Sequence, residues 1–225
     1  MPIEREVTIE EFRAHINALP PTRRIDEVFV HHTWRPTAAD YRGIATVAAV
    51  RRYHMETNGW RDNGYHVMFG PDGKIFLCRP IPDVGAHAAP RNSHSIGVSF
   101  IANFDSDDPT EYEGMESGYR AVAALLQRYQ LEPENIRFHR EVAPKTCPGM
   151  KLGLAGFRSE VGRRLGEEAH GVTAIVNGTT LEGEVVEIRD GQLWVWVRPI
   201  VEAVPGSTVE WDDATKTATF TIGGE

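Results

Sequence analysis

An imidazole and a thiol, His139 and Cys147, stand eight positions apart in a stretch that also holds Pro144, Pro148 and Gly149. Proline fixes φ and removes an amide donor, so Phe138 to Gly149 predicts a stiff loop rather than a helix or a central strand. A stiff loop can bring a nitrogen and a sulfur ligand to one point. Zinc accepts that pair, with a third protein ligand and an open fourth position where the metal is catalytic. Val30-His31-His32-Thr33 is the natural source of the third ligand, because a polar residue ending the apolar run Val28-Phe29-Val30 stands where buried strands present sites. A plainer reading competes: a lone Cys is a small buried hydrophobe, and no general metal motif requires this gap.

The elements that must position these residues follow from periodicity and turn chemistry. Thr8-Ile9-Glu10-Glu11 is a capping box, and Ile9, Phe12, Ile16 and Leu19 form one face of a helix that Pro20-Pro21 stops. Glu27 to His31 reads as a buried strand. A second helix starts at Thr37 or Asp40, with Tyr41, Ile44, Val47, Ala48 and Tyr53 as its core face and His54 on its surface, and Asn58-Gly59 ends it. Tyr65 to Phe69 and Lys74 to Cys78 form a hairpin about Pro71-Asp72-Gly73, and Ile96 to Ile101 is a further strand. The long loop Asp83 to Ser95 carries His87 and His94, the latter expected to orient the loop. Helices over Glu113 to Tyr129 and Leu154 to Leu165 flank a short strand at Asn135 to Phe138. The expected class is α/β, a mixed central sheet flanked by helices.

Composition shifts near Gly171. The tail becomes β-rich, with Asn177-Gly178 and Asp190-Gly191 as turn signals and one helical turn expected at Pro199 to Ala203, and it carries six of the eight net negative charges. Two domains are expected, 1–169 and 170–225. A net charge of −8 without a basic stripe disfavours nucleic acid. No apolar run approaches the ~20 residues that span a bilayer, so no stable membrane insertion is expected. The first residues lack a basic region and an apolar core, so no secretory signal is expected and synthesis is expected in the cytosol.

Several motifs, in order, resemble the zinc-dependent N-acetylmuramoyl-L-alanine amidases of the type-2 amidase and peptidoglycan-recognition class, with the phage amidase-type lysozymes nearest in pattern. They are Phe29-Val30-His31-His32-Thr33, Asn58-Gly59-Trp60, Gly64-Tyr65-His66, Val84-Gly85-Ala86-His87, Asn92 to Val98 and His139 to Pro148. The resemblance implies Zn2+ held by His31, His139 and Cys147, with Tyr65 and Lys145 catalytic. It implies peptidoglycan as substrate, cleaved between N-acetylmuramic acid and L-alanine, as in an endolysin acting on the wall once the membrane is opened. His66, His87 and Trp60 are candidate substrate contacts; for the histidines a hydrogen bond that supports a neighbouring side chain competes with that role, and for Trp60 packing beneath the cleft does. Other classes stay open: a recognition module without catalysis, a cytosolic wall-recycling amidase, or an unrelated zinc amidohydrolase. The tail, about Thr173 to Ile222, resembles more loosely the stalk domain of copper amine oxidases, which implies a fold and not an activity; its presence as an extra domain is expected to serve wall binding or homodimerisation. Trp194 and Trp196 share one face of a strand there, as core or as a sugar platform.

Overall fold

The computed structural model describes residues 4–20 and 23–169 and, beyond them, six strands. The chain divides into two compact units, Met1–Arg164 and Leu165–Glu225. The first contains a six-stranded mixed sheet. Its strands are β1 (Arg5–Val7), β2 (Glu27–His32), β3 (Val67–Phe69), β4 (Ile75–Leu77), β5 (Ser95–Phe100) and β6 (Ile136–Phe138), in the order β1-β4-β3-β5-β2-β6. β3, β5, β2 and β6 run parallel; β4 pairs antiparallel with β3 and β1. Its helices are α1 (Ile9–Ala18), α2 (Ile44–Glu56), α3 (Gly114–Tyr129) and most of α4 (Leu154–Ala169), whose last turn continues past Arg164.

Strand alternation sends successive side chains to opposite faces, and residues paired across strands share a face. One face is aromatic. Phe100 packs against Phe69, Phe104, Tyr112 and Phe157, with ring centroids 4.9–6.2 Å apart, and Phe138 meets Phe157. α3 lies close here: a β-carbon on Gly118 would fall 2.3 Å from the Phe100 ring. Truncating the fully buried Phe100 to alanine should cost about 3–5 kcal/mol, read as a lower denaturant midpoint at unchanged slope. On the other face, Val47 and Val50 of α2 pack with Met68, Phe76, Cys78 and Ile101. Met68, Ser99 and His31 are lateral partners across β3, β5 and β2, so they share that face.

The capping box forms as the sequence predicts: Glu11 N donates to Thr8 Oγ1 at 3.2 Å and Thr8 N to the Glu11 carboxylate at 2.9 Å. The α2 face differs from expectation. Ile44, Ala48 and Tyr53 are exposed, and Thr46, Val47, Val50 and His54 are buried. The expected face followed the large apolar side chains, whereas the helix turns its smaller ones and a histidine inward. β1 was not anticipated either; three residues with two charges show no alternation to read. Tyr65 and His66 precede β3 instead of lying in it, and both cysteines are free.

In the second unit, β11 (Thr208–Asp212), β12 (Thr217–Thr221), β7 (Thr173–Val176) and β8 (Thr179–Leu181) form one sheet. β9 (Val186–Arg189) and β10 (Gln192–Val195) form another. The helical turn expected at 199–203 and the Trp194 and Trp196 side chains lie outside the described residues.

Candidate metal centre

Parallel pairing explains how residues 108 positions apart meet. Val30 of β2 is opposite Phe138 of β6. One residue further along, His31 and His139 come side by side at the carboxyl ends of the strands, on the face opposite the aromatic core, with ring centroids 4.6 Å apart. The carboxyl edge of parallel strands is where open α/β sheets place ligands. Alternation also separates the His pair. His32 points the other way, and its Nδ1 accepts the Phe104 amide at 3.1 Å.

The proline-rich loop returns Cys147 to this point. Arg140 N donates to Cys147 O at 2.8 Å, and the Arg140 guanidinium donates to Gly149 O and Leu152 O. Asp105 holds the outer side, accepting from Thr146 Oγ1 at 2.7 Å and Met150 N at 2.9 Å. Gly149 adopts φ +116°, and a β-carbon there would fall 2.3 Å from the Phe104 carbonyl carbon, so this position needs glycine twice over. Cys147 Sγ thereby lies 3.6 Å from His31 Nδ1, and one ligand atom from each of His31, His139 and Cys147 lies within 4.8 Å of the others. Neighbouring ligands of a tetrahedral zinc are roughly 3.3–3.6 Å apart, by the usual bond lengths. The donor set therefore fits that ion, and the His31–Cys147 pair already has its spacing.

Burial sets the protonation here. It holds His139 at about 4 and lowers His31 and His87 well below the ordinary imidazole range. All three are neutral near pH 7, which leaves His31 and His139 each a lone pair for a metal. Burial pushes the Cys147 thiol up to about 12, so metal uptake must displace its proton. Burial, then the charge of Cys147, raise the Tyr65 phenol above its ordinary value, which keeps it a proton donor. The same desolvation predicts acid sensitivity. His32, His54 and His139 sit at about 4 and His66 at about 3, against 6.5 for a free imidazole. The unfolded chain binds more protons between those values, so stability is complete above about 6.5 and declines as pH falls toward 4. Melting the metal-free chain across that range should show a steadily falling Tm; a flat profile would contradict the assignment.

A cleft of about 710 Å³ opens over the cluster, lined by His139, Cys147, Tyr65, Lys145, Trp60 and His87 among others. Lys145 is exposed at its mouth, and its charge lowers the pKa of both His139 and Cys147. Tyr65 packs 5.2 Å from the His31 ring and also borders a more apolar hollow beside α2. Of the candidate substrate contacts, Trp60 lines the cleft and rests on His54 at 4.7 Å. His66 does not reach it. Its Nδ1 accepts the Gly97 amide at 3.0 Å, its Nε2 lies 3.0 Å from Asp83 O, and the ring is fully buried. Sequence could not reveal that, because its partners come from a distant strand, β5, and a distant loop. His87 reaches the cleft wall with both ring nitrogens engaged, by His31 at 3.2 Å and Ser95 at 3.5 Å.

Two residues of this region were misassigned or missed. His54 is buried, not on the helix surface, and its Nδ1 accepts the Gly64 amide at 3.1 Å. Its spacing from Val47 and Val50 was the available signal. Asn92, which had only its place in the motif to mark it, orients the long loop by accepting from His87 N and Ala88 N. The exposed His94 contributes its main-chain oxygen to Asp26 N.

The comparisons agree with this geometry. The Amidase_2 family, described as N-acetylmuramoyl-L-alanine amidase, matches residues 21–150. Peptidoglycan-recognition protein SC1a of Drosophila melanogaster is 35% identical over 127 residues, 55% of this chain and 67% of that protein. The human N-acetylmuramoyl-L-alanine amidase is 32% identical over 129 residues, 56% of this chain but 22% of that protein. Among solved structures, the amidase LysC from Clostridium intestinale shares the fold with TM-score 0.54 at 24% identity, over 64% of this chain and 89% of its own. With a model covering more than half of its length and a centre built from the motif residues, the chain belongs to the N-acetylmuramoyl-L-alanine amidase family.

Proposed function

We propose that the first unit is a zinc-dependent amidase that cleaves the bond between the lactyl group of N-acetylmuramic acid and L-alanine in peptidoglycan. The observation that carries this reading is the meeting of His31, His139 and Cys147 under a cleft that also holds Tyr65 and Lys145. Those three residues would hold the metal. Bound there, zinc supplies Lewis acidity and a water acidic enough to be a nucleophile at neutral pH. Two neutral imidazoles and a thiolate leave the centre with one net positive charge, less acidic than a three-histidine site, so helpers are required.

Lys145, which lines the cleft, would turn its ammonium toward the carbonyl oxygen of a bound amide and stabilise the charge that grows on it. One such donor is worth roughly 2.7–4 kcal/mol. Tyr65, kept protonated and lining the same cleft, would donate a hydrogen bond to the attacking water or to the developing oxyanion. Trp60 offers a flat apolar surface for the substrate. His66 supports the floor of the cleft and touches no substrate.

A module that only recognises the wall is the second reading. The buried Cys147 sulfur, 3.6 Å from an imidazole nitrogen, favours catalysis over it, because recognition alone has no use for a soft ligand there. Digesting purified cell walls with the zinc-loaded chain should release new L-alanine amino termini and no new reducing sugar ends. Walls bound but not cut would establish recognition alone. We further assign the acidic second unit to wall attachment or homodimerisation in an endolysin-like protein; light scattering of the full chain reads the oligomeric state.

A further inference from the structure

We propose that His87 and Ser95 fix the ring proton of His31 and thereby decide which of its nitrogens is free for a metal. The chain of contacts starts at a backbone carbonyl. Ser95 Oγ lies 2.9 Å from Arg91 O and gives that carbonyl its only proton. Its lone pairs then face His87 Nε2 at 3.5 Å, a contact that requires hydrogen on that nitrogen. His87 is left with a bare Nδ1, which lies 3.2 Å from His31 Nε2 and accepts from it. His31 thus carries its proton on Nε2, and Nδ1, the atom 3.6 Å from Cys147 Sγ, is the one with a free lone pair.

The surroundings hold this relay in place. The His87 ring lies against two glycines. A β-carbon on Gly97 would fall 2.5 Å from its Cγ and one on Gly85 2.5 Å from its Cδ2, so any larger residue would push the ring off His31. Asn92 fixes the backbone beneath it by accepting the His87 and Ala88 amides at 3.0 and 2.7 Å. His87 is therefore a positioning residue. An imidazole whose second nitrogen is held by a hydrogen bond is preset in orientation and tautomer for a metal, and losing such a partner typically costs 10–100-fold in affinity.

The inference rests on the proposed function for the identity of the metal only. Ring 15N shifts of the metal-free full chain should show both His31 and His87 protonated on Nε2. In a zinc competition titration, folded His87→Leu should bind about 10–100-fold more weakly. Ser95→Ala should weaken binding in the same direction. His87→Asn, whose side-chain oxygen stands near the position of Nδ1, should recover much of the loss. Protonation of His31 on Nδ1, or wild-type zinc affinity in folded His87→Leu, would overturn the proposal. If His87→Leu does not fold, the wild-type tautomer and Ser95→Ala decide, and unchanged affinity in Ser95→Ala then counts against it. A chain with the expected tautomers and weakened variants that cuts no walls refutes the amidase reading alone; wall cleavage with unaltered zinc binding in the variants refutes this one alone.

Discussion

Cys147→Ala should reduce bound zinc from stoichiometric to trace and lower wall hydrolysis by more than about a hundredfold. Partners one layer out from a metal already cost 10–100-fold when removed, and Cys147 would be a direct ligand. The thiol is buried, so the substitution leaves a small cavity worth only about 1 kcal/mol by the cost of deleted core atoms, and the fold should survive. Elemental analysis and circular dichroism on the same sample separate the two effects. Cys147→Ser is the sharper version: it preserves volume but offers a harder, less acidic donor where zinc prefers thiolate. A serine variant that kept both zinc and activity would remove the sulfur from the centre.

Lys145→Ala should behave differently. Zinc content stays at the wild-type level, since Lys145 is exposed at the cleft mouth and supplies no ligand atom to the cluster. Turnover should drop about 10²–10³-fold, the usual cost of losing one preorganised donor to a developing oxyanion. The loss should fall on kcat more than on KM, because the charge it answers exists only in the transition state. Tyr65→Phe should cut kcat well over tenfold by the same logic, again with zinc retained. If both variants turn over like wild type, neither residue is catalytic. If Lys145→Ala raises KM alone, the lysine binds substrate and does nothing more.

Much of the fold was legible because local chemistry and tertiary structure agree. The Thr8 capping box, the buried run at β2 and the periodicity of α3 each name their element without outside help. Disagreement came where a residue answers to partners far away in sequence. Arg51 on α2, a residue type usually left in solvent, pairs with Asp62 at 2.5 Å and Glu4 at 3.3 Å, so a loop and the residue just before β1 recruit it. His66 carries the same residue type as the metal ligands but spends both nitrogens on backbone, the β5 amide of Gly97 and the loop carbonyl of Asp83.

By itself the sequence determined the ligand types, the stiffness of the loop that carries Cys147, and which motifs travel together. Those are properties of residue identity and short spacing, which proline, glycine and periodicity make readable. Tertiary structure alone shows why His31 rather than His32 joins His139 and Cys147, and which nitrogen it offers. The parallel register of β2 with β6 sets the first, by putting His31 beside His139 on one face. The second depends on a serine and a histidine from the long loop and its following strand, brought to 3.5 Å and 3.2 Å by folding. Hydrogen-bond direction is a property of atoms in space, and no spacing along the chain encodes it.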